Sequence, residues 1–146
     1  MRRILWFIPF VFVFVGFAPN EEITEITLQR TPCFGACPTD RVVLHPDGNA
    51  DYYGQRHVQR VGHYKGIFGE ANFDRLSKLI VAQRFFDLKP RYHRGVTDLP
   101  SVIVTVKRGD KVTEVNDNGH AGPLELWGIE MAITGVLAEV AWEKAE

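Results

Sequence analysis

Apolar residues recur with two different periods along this chain, and the change of period divides it. Ile23, Ile26 and Leu28, set among Thr24 and Thr27, read as a β-branched strand ending at Thr31-Pro32. Arg41 to His45 reads as a second strand, Pro46-Asp47-Gly48-Asn49 as a turn, and Ala50 to Tyr53 as the returning partner. His57 to Phe68 is punctuated by Gly62 and Gly66 and has room for one or two short strands. Phe73, Leu76, Leu79 and Ile80 then follow helical spacing, which predicts an amphipathic helix over 70–84 that Pro90 stops. Lys89 to Pro100 carries no period and reads as a surface loop. Ser101–Lys107 and Lys111–Asn116 form a hairpin pattern around Gly109-Asp110. Gly122-Pro123 opens a last helix with Leu126, Ile129, Ile133, Val136, Leu137 and Val140 as its apolar stripe, and places Trp127 and Trp142 on it. The order strands, helix, hairpin, helix predicts an α+β fold. Its simplest form is an antiparallel sheet with two helices packed on one face.

The first residues follow a different rule. Arg2 and Arg3 precede an uncharged apolar run from Ile4 to Ala18, the layout of a secretory signal. The run is shorter than the roughly 20 residues of a spanning helix. Gly16 and Ala18 suit cleavage after Ala18, whereas Pro19 disfavours it, so residues 1–18 are a signal peptide or a retained N-terminal anchor. Residues 19–146 then form a single α+β domain. The expected location is periplasmic or extracellular, with membrane attachment only through the N-terminal segment.

Composition narrows the function classes further. A net charge of -1 lacks the basic footprint of a nucleic-acid binder. With 45% hydrophobic and 24% charged residues, the chain has the material for a folded core.

Its most distinctive string is Arg30-Thr31-Pro32-Cys33-Phe34-Gly35-Ala36-Cys37-Pro38, which holds both cysteines. In an exported protein, close cysteines are ordinarily oxidised. Four residues of extended chain span roughly 13 Å, and bridged Cα atoms lie within about 7 Å, so a Cys33–Cys37 disulfide demands a sharp bend. Gly35 permits it, and the prolines keep the bend outside both strands. The alternatives are a thiol-redox pair or a copper or zinc site using Cys33 and Cys37, with His45 as the first further ligand to test. A Cys-x3-Cys-Pro string also occurs in copper-delivery proteins of thioredoxin-like fold, but here a strand pattern follows Pro38 instead of a helix start.

The motifs also carry a resemblance. Ile26-Thr27-Leu28-Gln29-Arg30-Thr31, CFGACP, Asp47-Gly48, Phe73-x-x-Leu76, Phe85-Phe86-x-Leu88 and Thr97-Asp98-x-Pro100 recur in this order. In them the chain resembles an uncharacterised family of exported bacterial proteins, a domain of unknown function with a CFGxCP motif. That resemblance implies a compact exported α+β domain and transfers no catalytic residue. The family often carries tyrosine two places after the proline, where Asp40 stands here.

The remaining candidates are weaker. His45, His57, His63, His93 and His120 show no metalloprotease spacing and suit surface or hydrogen-bonded roles. Arg84, Lys89, Arg91 and Arg94 concentrate positive charge near the long loop, with Asp98 closing it. They form a candidate site for an anionic ligand, or a solvated loop. Arg108-Gly109-Asp110 matches an adhesion tripeptide, but Gly-Asp also suits a tight turn. No nucleophile elbow or phosphate-cradling glycine loop occurs. The expected function is a non-catalytic binding or interaction module of the cell envelope without a cofactor. Its partner would be an envelope protein or an anionic ligand.

Overall fold

The computed structural model describes residues 22–146, and the signal or anchor expected over 1–18 lies outside them. Among the described residues eight strands form one sheet: β1 (Ile23–Arg30), β2 (Thr39–Leu44), β3 (Asn49–Arg56), β4 (Gly62–Ile67), β5 (Arg91–Tyr92), β6 (Ser101–Arg108), β7 (Lys111–Asn118) and β8 (Trp142–Lys144). Helix α1 (Glu70–Ala82) follows β4, and α2 (Leu124–Ala138) lies between β7 and β8. Across the sheet the order is β5-β7-β6-β1-β2-β3-β4-β8. Every neighbouring pair is antiparallel except β5 with β7. Among the described residues no helix is long and apolar enough to cross a membrane.

Register explains which residues reach the core. Val106, Ile26, Leu44 and Ala50 stand side by side across β6, β1, β2 and β3. Two residues further along, Val115, Val104, Leu28, Val42 and Tyr52 do the same from β7 to β3. Strand period puts both rows on one face. They join Phe73, Leu76 and Ile80 of α1 and Leu126, Ile129 and Ile133 of α2 in a single hydrophobic cluster. The next row on that face reads Asp117, Val102, Arg30 and Asp40, so the apolar pattern gives way to charge at one end of the core.

Several expectations need correction. Helix α1 stops at Ala82 and hands over to a short 3-10 turn, Phe85–Asp87, whose Phe85 is fully buried. Residues 57–68 hold one strand, within the one or two expected. The unpatterned stretch 89–100 contributes β5, because the outer edge of β7 offers free backbone groups that Arg91–Tyr92 pair with. Pro123 sits just outside α2 as its N-cap, one place earlier than a first helical residue. The helix ends at Ala138, so Val140 and Trp142 are not on it. Trp142 belongs to β8, where it pairs with Gly66 and completes the open edge of β4. Trp127 remains on α2, about half exposed. Gly109 and Asp110 make the β6–β7 turn, and the Arg108 guanidinium lies 4.0 Å over the Phe86 ring, so this tripeptide is engaged in packing.

Candidate functional site

The connection between β1 and β2 builds one wall of the site. Cys33 and Cys37 are joined as a disulfide with Cα atoms 5.7 Å apart. Flanking hydrogen bonds anchor the bend: Thr31 N–H donates to the Ser101 carbonyl at 2.9 Å, and Ser101 N–H donates to Thr31 Oγ1 at 2.8 Å. Replacing both cysteines with serine should cost about 2 kcal/mol of stability, since so small a ring removes little chain entropy. Urea unfolding of the oxidised protein and the double variant measures this.

Where the bend rejoins the sheet, Arg30 and Asp40 face each other across β1 and β2. Arg30 Nε donates to Asp40 Oδ1 at 2.7 Å, Arg30 Nη2 donates to Oδ2, and Tyr52 Oη donates to Oδ2 at 2.9 Å. The Asp40 side chain is only 4% exposed, against 40% for Arg30. Hydrogen bonding to Asp40 raises the Arg30 pKa further against the opposing effect of burial. Burial, then the hydrogen bond to Asp40, pushes the Tyr52 phenol up to about 12. Arg30 therefore stays cationic and Tyr52 stays protonated at neutral pH.

Two cavities flank this network. The first, about 370 Å³, is lined by Arg30, Asp40, Tyr52, Arg60, Leu137 and Trp142, among others. Trp142 leans on Tyr52 with ring centroids 5.4 Å apart. Gly54 shapes the rim, because a Cβ there would collide with the Arg60 carbonyl, so only glycine lets the 57–61 loop close over β3. The second cavity, about 270 Å³, shares Leu28, Arg30, Pro38 and Thr134 with the first and adds Cys37, His120 and Glu130.

Glu130 is the least expected group in the molecule. Its residue is 1% exposed, and neither carboxylate oxygen makes a hydrogen bond among the described residues. Burial, reinforced by the neighbouring Asp117 carboxylate, pushes its pKa up to about 8. Asp117 is also buried, and its Oδ1 accepts from the N–H groups of Ala121 at 2.7 Å and Gly122 at 2.9 Å. His120, in a left-handed conformation with φ 52°, places Nδ1 3.9 Å from Glu130 Oε2. A neutral carboxyl here can hold a proton, and an ionised one can hold a cation.

A family model matches residues 24–137, that of DUF6438, a domain of unknown function. The chain belongs to the DUF6438 family. No curated protein matches the sequence. The matched residues of this DUF6438 chain include the disulfide bend, the Arg30–Asp40–Tyr52 network and the Asp117–His120–Glu130 group.

The residues singled out from the sequence fall in three places. Cys37 lines the second cavity. His45 lies at the far end of β2 from the cysteines, with Nε2 bonded to Asp51 Oδ2 at 3.1 Å. Along a strand that separation is about 20 Å. His45 is thus engaged with Asp51, and the two sulfurs are joined to each other. His63 Nε2 approaches Asp51 Oδ1 at 2.7 Å, and its ring stacks on Tyr53 at 4.4 Å. Partial burial raises the Asp51 pKa, but hydrogen bonds from His63 and His45 outweigh it and hold the carboxylate below its usual range.

The five residues of the anion candidate each have their own surroundings. Arg84 Nε pairs with Asp87 Oδ2 at 2.9 Å, Lys89 is exposed, and Arg91 belongs to β5. The Asp98 carbonyl accepts from Phe34 N–H at 3.5 Å. Arg94 alone reaches a cavity wall, where its Nη2 donates to the His120 carbonyl at 3.1 Å. Asp40, Tyr52, Asp117 and Glu130 are site residues that the sequence reading does not single out; helical period points to Glu130 alone.

Proposed function

We propose that this DUF6438 chain is an exported, non-catalytic binding module of the bacterial cell envelope. Its ligand would be a small anionic molecule seated in the 370 Å³ cavity beside the disulfide bend. The observation that carries this reading is the lining of that cavity. Apolar walls from Leu137, Val42 and Trp142 meet a few fixed polar groups, with Arg60 and His57 supplying positive or donor character. Ligand sites commonly combine an apolar body with a small number of oriented polar groups. The pKa values of Tyr52 and Arg30 both lie far above neutral pH, which suits orientation of a ligand and does not suit proton transfer at pH 7. The joined cysteines and the Arg2-Arg3 apolar leader support export to an oxidising compartment. Both helices contribute to one hydrophobic cluster, which supports the reading that they cover the same face of the sheet.

The test is saturable binding of sugar acids and inorganic phosphate, followed by NMR shifts on wild type and two variants. Leu137→Trp fills the cavity and should weaken binding at least about tenfold, since a bulky ring removes the space for a ligand. Charge reversal of Arg91 and Arg94 to Glu should leave it unchanged. Binding insensitive to Leu137→Trp, or abolished by the charge reversals, would move the ligand from the cavity to the 89–100 loop.

A further inference from the structure

We propose that Asp117, His120 and Glu130 form a binding site for a single divalent cation of zinc type, opening into the 270 Å³ cavity. One donor atom from each residue lies within 4.8 Å of the other two. Two carboxylates and an imidazole make a mixed oxygen and nitrogen set, which suits zinc and its transition-metal neighbours better than calcium or magnesium.

The second observation is the state of Glu130. A carboxyl at 1% exposure that makes no hydrogen bond among the described residues is an uncompensated group. Such groups are rare, and a bound cation would compensate this one. Glu130 sits on the buried stripe of α2 beside Leu126, Ile129 and Ile133 and lines the cavity.

The surroundings are built to hold ligands in place. Asp117 is oriented by two backbone N–H groups, the kind of outer support that metal-binding carboxylates ordinarily have. Gly122 lets the 118–122 turn wrap this close, because a Cβ there would press on Leu126 and the Asp117 carboxylate. Arg94 pins the His120 carbonyl. Bonds of about 2.0–2.2 Å to a tetrahedral ion bring donors to about 3.3 Å from one another. The Nδ1–Oε2 separation of 3.9 Å closes to that value by a small side-chain rotation. The fourth position would face the cavity beside Met131 and Thr134.

This site is independent of whether the larger cavity binds an anion. A rival cluster exists on the opposite face of the sheet, where His45 and His63 flank Asp51. The full chain, stripped with EDTA, should be titrated with zinc by calorimetry alongside His120→Ala and His63→Ala. His120 is 58% exposed, so its loss leaves the core intact. Wild type should bind one equivalent, His120→Ala should bind at least about tenfold more weakly, and His63→Ala should match wild type. Cobalt substitution should give visible absorption bands that disappear in His120→Ala. Absence of zinc binding by wild type, unchanged affinity in His120→Ala, or loss in His63→Ala would each overturn the assignment.

Discussion

Wild-type protein is expected to lose stability steeply between about pH 5 and pH 8, and replacing Glu130 with Gln should remove that contribution. The folded-state pKa is raised from 4.5 to about 8, first by burial and then by Asp117. Below the unfolded value the carboxyl is protonated in both states and imposes no penalty. As pH rises, the unfolded chain releases the proton while the folded chain keeps it, so stability drains away until the folded pKa is passed. At about 1.4 kcal/mol per unit, the loss reaches roughly 3–5 kcal/mol by pH 8. Glutamine has no proton to release. Its buried amide adds an offset of about 1–3 kcal/mol, but one that is the same at every pH. The groups facing Glu130 are Asp117, His120 at 3.9 Å and, across the cavity, Arg30. Urea unfolding at pH 5, 6.5 and 8 in EDTA, which removes any competing cation, separates slope from offset. Parallel curves for the two proteins would show that Glu130 titrates normally in the folded state.

Glu130 also shows what could be seen from the sequence and what could not. Helical spacing correctly located α2 and its stripe of Leu126, Ile129 and Ile133. The same spacing places Glu130 four residues after Leu126 on that stripe, so a charged core position was visible in the pattern. Asp117 is similar, because it follows Val115 by one strand period and shares its face. Arg30 and Asp40 become partners only once the β1–β2 register is known, and the alternation in Ile23–Arg30 is too irregular to fix it. Trp142 was misplaced because Val136, Leu137 and Val140 continue a helical spacing past the end of α2. The deciding influence was tertiary, namely the open edge of β4, which no local period records. Pairing of Arg91–Tyr92 with β7 escaped notice for the same reason.

Arg30→Met is expected to destabilise the protein by about 2–3 kcal/mol. Breaking a buried ion pair from one side commonly costs 3–5 kcal/mol, and the partial exposure of Arg30 lowers that because water reaches its end of the pair. What remains is Asp40 at 4% exposure, with the Tyr52 hydroxyl still donating to it. Adding Asp40→Leu removes the stranded charge, so the double variant should recover to within about 1 kcal/mol of wild type, the residue being an unpartnered Tyr52 hydroxyl. A double variant no more stable than Arg30→Met would mean that the pair holds the fold through geometry and not through charge. The disulfide and the ion pair restrain the same connection, residues 31–38, from its tip and its base. Loss of both should therefore be non-additive by more than the few tenths of a kcal/mol expected of independent sites. The combined variant measured in a double-mutant cycle decides whether bend and network act as one unit, as a wall shared by two cavities requires.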